Sequence, residues 1–287
     1  LESALPKFCE VETPYPLRCP LGRYDENAGE HYANLLQEEI ESQRPETVAA
    51  FLAEPITGTS GGAIVPPDEY WPRVREICDR HGVVLIMDEV MTGFGRTGST
   101  FGYQHWPIEP DILVGGKGLA GGYAPLGGVF ATEKIAKAIE NAGFQVMFTT
   151  FGAHPAACAA ATEVLDIMCE EELVESAKVK GEYLSSRLKD SLAQHPNLGE
   201  VRGKGLLVAV ELVKNRETLE LFPEEESITN KIIGKGLEKG VFFYGGGTGT
   251  VRDLVCFGPA FTITEAQLDK VVDTFVDCVD EVTGSFD

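Results

Sequence analysis

Apolar and polar residues in the first half of the chain follow two alternating patterns. Residues 30–43 and 67–82 place apolar side chains every three or four positions, which predicts two amphipathic helices. Short, nearly continuous apolar runs are typical of buried strands, and they occur at residues 47–55, 83–90, 111–116 and 126–132. Strands that alternate with helices predict an α/β fold whose mostly parallel sheet is covered by helices on both faces.

The second half of the chain has a different texture. An Ala-rich helix is expected to begin near residue 154 and to run, with one break, towards His195. The pattern then predicts a strand, a helix, two strands and a closing helix capped by Thr264, at residues 201–213, 226–240, 241–244, 253–261 and 264–282. We therefore expect a large domain over residues 1–160, and a small α+β domain over residues 161–287 that includes the interdomain helix.

Charge narrows the range of partners. The 287 residues contain 45 acidic and 24 basic side chains, which gives a formal net charge of −21. Such a field repels nucleic acid and anionic membrane surfaces, so we expect neither as a partner. No apolar run is long enough to span a bilayer and no signal peptide is recognisable, which favours a cytoplasmic location. The acidity fits either a high-salt cytoplasm or an ordinary well-solvated acidic enzyme.

Cysteine and histidine spacing argues against a metal site. The seven cysteines are scattered and form no CxxC pair, and the five histidines show no metal-binding spacing. We therefore predict reduced, mostly buried thiols and no metal.

Two charged residues follow predicted strands in a way that suggests chemistry. Asp88 ends a buried apolar run, where a carboxylate needs a partner. Arg96, in the glycine-rich stretch that follows, is one candidate for that partner. The alternative is that Asp88 caps the following turn.

Lys117 lies among seven glycines between Gly115 and Gly128. A lysine buried at a strand end would have a lowered pKa and a neutral amine suited to Schiff-base chemistry. A surface lysine in a turn is the alternative.

Together the two positions are more specific than either alone. One strand and one loop separate Asp88 from Lys117, so parallel strands would bring both to the same edge of a sheet. An acid there can keep a pyridine nitrogen protonated, and a lysine can hold an aldehyde carbon. Pyridoxal phosphate needs both groups, at opposite sides of its ring.

Four ordered blocks then carry a resemblance. FLAEPITGTSGG, LIMDEVMTGFGRTG, PDILVGGKGLAGGYAPLGG and FTTFGAHPAACAAA resemble the signature blocks of the class-III (omega-type) pyridoxal-phosphate aminotransferases of fold type I. The likeness covers nearly the whole chain. It implies a fold-type-I large domain, incomplete at its N-terminus, with a small C-terminal domain, and a homodimer with shared active sites.

The resemblance also implies roles for individual residues. Asp88 would pair with the pyridinium nitrogen, Val90 would pack against the ring, and Lys117 would carry the cofactor and move the substrate proton. Thr150 would bind the cofactor phosphate in the neighbouring subunit's site, and Glu54 would be a supporting acid. The alternatives are that Val90 is plain core, that Thr150 caps the Ala-rich helix, and that Glu54 merely ends its strand.

The sequence departs from the family pattern in three places. The family's N-terminal segment, with its phosphate-cradling glycine-serine turn and stacking aromatic residue, has no counterpart in this sequence. Met91 stands where some members have a glutamine that contacts the ring hydroxyl. Arg252 is the only arginine near the position where members that take α-keto acids place a carboxylate-binding arginine, so we predict it as the substrate contact.

The resemblance therefore implies transamination, from an amine or ω-amino acid to a keto acid such as pyruvate. Two alternatives stay open. An aminomutase of the same fold would move the amino group within one substrate and would need no added keto acid. A non-catalytic remnant would no longer bind the cofactor.

Overall fold

The protein is described by a computed structural model over residues 8–143, 149–248 and 251–284. Its first half forms a four-stranded sheet in the order β1-β2-β3-β4, with strands at Ala50–Ala53, Val84–Asp88, Ile112–Gly115 and Gly128–Ala131. The β1–β2 and β2–β3 pairs are parallel, and β4 runs antiparallel to β3. This confirms the mostly parallel sheet. The last strand is reversed because a loop, without a crossover helix, connects β3 to β4.

Three helices accompany this sheet: α1 at Ala28–Ser42, α2 at Tyr70–His81 and α3 at Glu133–Asn141. The patterns predicted α1 and α2 to within a few residues, whereas α3 was missed. The core between α1, α2 and the sheet contains fully buried Tyr32, Trp71, Leu85 and Met87.

The prediction that helices cover both faces of the sheet is wrong for the described part of the chain. Leu52 and Ile86 are neighbours in register on the face opposite Leu85, and the Leu52 side chain is 56% exposed. Val129 of β4 is 71% exposed. The alternation of strands and helices along the chain does not show on which face of the sheet each helix packs.

The second half forms an antiparallel sheet in the order β5-β6-β8-β7, with β5 Leu198–Lys204, β6 Leu207–Leu212, β7 Tyr244–Thr248 and β8 Val251–Phe257. Its four helices are α4 Pro155–Glu170, α5 Leu173–Ser191, α6 Ile228–Glu238 and α7 Glu265–Thr283. α7 begins with the predicted cap: Thr264 Oγ1 accepts a hydrogen bond from the Gln267 backbone N–H. The predicted break in the Ala-rich helix falls between α4 and α5.

Two strand predictions in this half need correction. The strand predicted at residues 201–213 is the β5–β6 hairpin, because Gly205 adopts a φ of +54° and turns the chain. The strand predicted at residues 241–244 begins only at Tyr244 and continues through a run of glycines. The domain boundary predicted at residue 160 falls inside α4 and stays a prediction.

Candidate active site

Asp88 and Lys117 lie at the same edge of the first sheet, as predicted. Asp88 is the last residue of β2, beside Val114 of β3. Lys117 follows the end of β3 by two residues. Because β2 and β3 are parallel, their carboxyl ends share one edge, which is where α/β sheets bind ligands.

Lys117 is exposed, so the prediction of a buried lysine is wrong. The residue begins a short 3-10 turn just beyond the sheet edge and adopts a left-handed φ of +38°. Leu119 and Ala120 occupy the buried positions of that turn instead. The amine of Lys117 is therefore accessible at the sheet edge.

Asp88 is half-buried, and its Oδ1 accepts a hydrogen bond from the Val90 N–H at 2.9 Å. The carboxylate thus caps the turn that follows β2, as the simpler alternative predicted. Arg96 is not its partner, which corrects the other alternative. The Arg96 guanidinium donates to the Leu206 and Pro259 carbonyls at 3.2 and 2.7 Å and packs over the Phe261 ring. Burial lowers the Arg96 pKa to about 10.

Glu89 orders the loop beside the site, a role that the sequence analysis missed. Its fully buried carboxylate accepts hydrogen bonds from the Thr92 hydroxyl and from the Gly102 and Tyr103 N–H groups, at 2.5, 2.7 and 2.8 Å. Burial raises the Glu89 pKa, and the repulsion from Asp88 adds to this effect. The sequence contained one sign of this role, because Asp88 and Glu89 are adjacent and consecutive side chains of a strand point to opposite sides. If one of the two carboxylates faces the site, the other must point away from it.

Glu54 brings a second carboxylate to the same edge. It directly follows β1, is half-buried, and accepts a hydrogen bond from the Gly58 N–H. Burial raises the Glu54 pKa, with Asp88 acting in the same direction and the Gly58 N–H and Lys117 acting against it. Glu54, Asp88 and Lys117 therefore lie close enough to interact electrostatically.

Two apolar side chains border this charged group. Val90 is half-buried beside Gly116, where an added Cβ would lie 3.8 Å from the Val90 methyl carbons. Met91 lies against Gly58, with its Cγ 3.0 Å from the position of an added Cβ. Val90 and Met91 are thus near the residues that hold Lys117 and Glu54.

Thr150 and Arg252 lie elsewhere. Thr150 is exposed, and it does not cap the Ala-rich helix: that helix begins at Pro155 with His154 as its cap. Arg252 lines a groove between α6 and the β7–β8 pair, and its Nη2 donates to the Phe222 carbonyl at 2.7 Å. Among the described contacts, none joins Arg252 to Glu54, Asp88 or Lys117.

Comparison with known proteins identifies the family to which the chain belongs. Residues 1–279 match the profile described as aminotransferase class-III. The chain belongs to the class-III aminotransferase family. It is 39% identical over 254 residues to a putrescine–pyruvate aminotransferase of Pseudomonas aeruginosa, covering 88% of this chain and 54% of that protein. It is 38% identical over 252 residues to a taurine–pyruvate aminotransferase of Bilophila wadsworthia, covering 85% and 54%.

Solved structures of the family agree with the fold. A thermostable (S)-enantioselective omega-transaminase from Thermomicrobium roseum has a TM-score of 0.89 at 38% identity, with 97% of this chain and 61% of that chain covered. The omega-transaminase of Pseudomonas jessenii in complex with PMP has a TM-score of 0.89 at 35% identity, with 98% and 62% covered. The fold is that of the pyridoxal-phosphate-dependent transaminases. The chain spans about half the length of the curated relatives it matches.

The described residues include neither a membrane-spanning helix nor a candidate metal cluster. None of the helices there combines the length and apolar character needed to cross a membrane. Within residues 8–143, 149–248 and 251–284, no group of three or more His, Cys, Asp or Glu is arranged to hold a metal ion.

Proposed function

We propose that this chain binds pyridoxal phosphate at the edge formed by β1, β2 and β3, and that the protein transfers an amino group from a small amine or ω-amino acid to pyruvate. The observation that carries the proposal is the convergence of Glu54, Asp88 and Lys117 in a member of the class-III aminotransferase family. The putrescine–pyruvate and taurine–pyruvate relatives support the substrate class.

The residues at this edge fit pyridoxal phosphate. The cofactor requires an acid at its ring nitrogen and an amine at its aldehyde, and Asp88 and Lys117 are these two chemical types at neighbouring strand ends. The half-buried Val90 adds an apolar contact for the ring beside Gly116. When bound, the cofactor supplies the electron sink that stabilises negative charge on the substrate carbon.

Each side chain has a distinct task in this proposal. Asp88, fixed by the Val90 N–H, would hold a proton on the ring nitrogen. Lys117 would attach the cofactor and would move the proton at the substrate carbon. Glu54 contributes a second negative charge beside Asp88.

Two further residue assignments and a homodimer belong to the proposal. Thr150 would bind the cofactor phosphate in a second subunit of a homodimer, and Arg252 would bind a substrate carboxylate. Three large apolar residues support the dimer, because exposed apolar surface is typical of interfaces. Tyr123, Val129 and Phe151 are 84%, 71% and 79% exposed. The cytoplasmic location expected from the sequence stays a prediction.

An absorbance spectrum tests the proposal directly. Purified protein is incubated with pyridoxal phosphate, freed of excess cofactor and scanned, beside Lys117→Ala and Lys137→Ala variants. Lys137 lies on α3 with its side chain 62% exposed, so it controls for labelling of surface lysines. We expect the wild type and Lys137→Ala to retain a visible band that an amino donor bleaches, and Lys117→Ala to lack it.

Each other outcome has a definite meaning. An equal band in all three proteins would refute the assignment of Lys117. No retained band in the wild type would support the non-catalytic alternative for this chain. A band that bleaches, followed by turnover without added pyruvate, would favour an aminomutase.

A further inference from the structure

A buried arginine from the second sheet holds the loop that follows Glu54. Arg202 lies on β5 and is 6% exposed. Its Nε donates to the Gly62 carbonyl at 2.6 Å, and its Nη2 donates to the Gly61 carbonyl at 3.1 Å. One planar guanidinium therefore binds two successive carbonyls, a geometry that a lysine ammonium cannot reproduce.

The loop transmits this hold to Glu54 through its own backbone. The Gly62 and Ala63 N–H groups both donate to the Gly58 carbonyl, at 2.9 and 3.2 Å. The Gly58 N–H in turn donates to the Glu54 carboxylate. The path from Arg202 to Glu54 thus consists of hydrogen bonds within one tight turn.

The turn has little room to shift. Gly62 adopts a φ of +71°, and a Cβ added there would lie 2.6 Å from Leu254 Cδ2. On the opposite side of the guanidinium, Nη1 donates to Glu211 at 2.6 Å, to Glu200 at 3.0 Å and to the Tyr15 hydroxyl at 2.9 Å. Arg202 is therefore also held on this side by three residues that lie outside the loop.

We propose that Arg202 is a positioning residue for the active site: it holds the loop at residues 57–63 so that the Gly58 N–H keeps the Glu54 carboxylate beside Asp88 and Lys117. The proposal rests on the proposed function only in taking this edge as the cofactor site. Its structural part, the dependence of the loop on Arg202, stands independently of the cofactor.

Loss of this hold has a chemical consequence at Glu54. The charged and polar groups that face Glu54 are Asp88, Lys117 and the Gly58 N–H, and the N–H lowers the Glu54 pKa against the larger effect of burial. If the loop loosens, the N–H leaves the carboxylate and its lowering effect on the Glu54 pKa is lost. A change at Arg202 should then be detected at the cofactor as a shift in pH dependence.

The chain offers a matched control. Arg18 binds the same carboxylate as Arg202, donating to Glu211 from Nε at 3.2 Å and from Nη2 at 2.5 Å. Arg18 also interacts with Tyr15 and donates to the Leu219 carbonyl at 3.2 Å, and neither residue belongs to the loop. Arg18→Met and Arg202→Met therefore both deprive Glu211 of a cation, but only Arg202→Met removes the hold on the loop.

Hydrogen exchange measured by mass spectrometry on peptides that span residues 56–64 tests the structural part without cofactor. We expect exchange about tenfold faster in Arg202→Met than in the wild type, because the protecting hydrogen bonds open more often. Arg202→Lys should fall between them, and Arg18→Met should match the wild type. Equal exchange in Arg202→Met and Arg18→Met would overturn the proposal.

The pH titration of the retained cofactor band tests the chemical part. We expect its midpoint to shift in Arg202→Met, to shift less in Arg202→Lys, and to stay unchanged in Arg18→Met. A midpoint that moves equally in both methionine variants would overturn the link to Glu54. If Arg202→Met does not fold, Arg202→Lys and Arg18→Lys replace the pair. If the wild type retains no band, the proposed function fails while the exchange data still decide the role of Arg202.

Discussion

Lys117 occupies a left-handed backbone conformation, which is unfavourable for most residues other than glycine. Its φ of +38° lies in the left-handed region, and its neighbours on both sides are glycines. For an L-residue this region costs about 1–2 kcal/mol, because Cβ approaches the following carbonyl oxygen. The residue assigned to the chemistry therefore destabilises its own turn.

Replacing Lys117 by glycine should relieve this strain. We expect Lys117→Gly to be more stable than Lys117→Ala by about 1 kcal/mol in urea denaturation, because both lose the amine but only alanine keeps a Cβ. The order should reverse at Lys137 inside α3, where glycine costs about 1 kcal/mol relative to alanine. If alanine were more stable than glycine at both positions, the turn at Lys117 would be unstrained.

The sequence predicted where Asp88 and Lys117 meet, but it did not predict their surroundings. Their common edge follows from two parallel strands, which the apolar runs indicate. The exposure of Lys117 depends on which neighbours fill the buried positions of its turn. The partners of Arg96 are the carbonyls of Leu206 and Pro259, more than 100 residues away along the chain, and no local pattern identifies them.

At the scale of elements, α5 packs directly on the hairpin turn between β5 and β6. A Cβ added to Gly181 of α5 would lie 2.1 Å from the carbonyl atoms of Gly205. The helix can approach the turn this closely only because Gly181 has no Cβ. Gly234 of α6 is also helical, but an added Cβ there would meet nothing within 4 Å.

These two glycines predict opposite effects of the same substitution. Gly181→Ala should destabilise the protein by at least about 1–3 kcal/mol, because helix and turn must separate. Gly234→Ala should stabilise it by up to about 1 kcal/mol, because alanine is the better helix former. Urea denaturation of both variants measures the difference. Equal stabilities would mean that α5 can move away from the turn without loss.

Asp111 joins α2 to the first sheet and makes this junction sensitive to acid. Its Oδ2 accepts hydrogen bonds from the Arg75 guanidinium and the Leu85 N–H, both at 2.9 Å. Although burial opposes them, these contacts lower the pKa of Asp111. A carboxylate with a lowered folded-state pKa stabilises the fold above its ordinary pKa, and this stabilisation is lost as pH falls through the folded-state value.

Asp111→Asn should therefore be less stable than the wild type by about 1.5–3 kcal/mol at pH 6. The difference should begin to shrink as pH falls below the ordinary carboxyl pKa of about 4, and it should be lost once pH falls through the lowered folded-state pKa of Asp111. Denaturation curves at pH 6 and pH 3 measure it. Asp79 contacts the same arginine with its side chain 67% exposed, so Asp79→Asn should cost well under 1 kcal/mol at either pH. A loss for Asp111→Asn that does not change with pH would contradict the pKa direction.

Elements with strong periodicity were predictable, and the exceptions have physical reasons. α7 follows from Thr264 and from apolar residues at helical spacing, and Leu268, Val272 and Phe275 are fully buried. The β5–β6 hairpin was missed because its turn is short. The turn contains a single lysine between two glycines, and no longer polar segment interrupts the apolar run. β7 was misplaced because its glycines disfavour strands, and its pairing with β8 overrides that preference.

For the whole molecule, the dominant electrostatic quantity is the net charge of −21. Repulsion among so many like charges opposes the compact state, and salt screens it with a Debye length of about 10 Å at 0.1 M and about 3 Å at 1 M. The surface ion pairs, such as Lys214–Glu220, contribute little individually and are screened as well.

We therefore expect the melting temperature to rise with sodium chloride. A gain of about 1 kcal/mol between 0.02 and 0.5 M would raise it by about 2–4 °C for a chain of this size. Potassium chloride should act equally, because screening depends on ionic strength and not on the ion. A fall in melting temperature would show that favourable ion pairs outweigh the general repulsion.

The contacts of Arg96 have one more consequence, which concerns sequence change. Both of its acceptors are backbone carbonyls, those of Leu206 and Pro259. A substitution at either acceptor residue changes the side chain but leaves the carbonyl in place, whereas a substitution of the arginine removes both bonds at once. These hydrogen bonds therefore constrain the residue at position 96 but place no constraint of their own on the side chains at positions 206 and 259, although burial in the core still constrains Leu206.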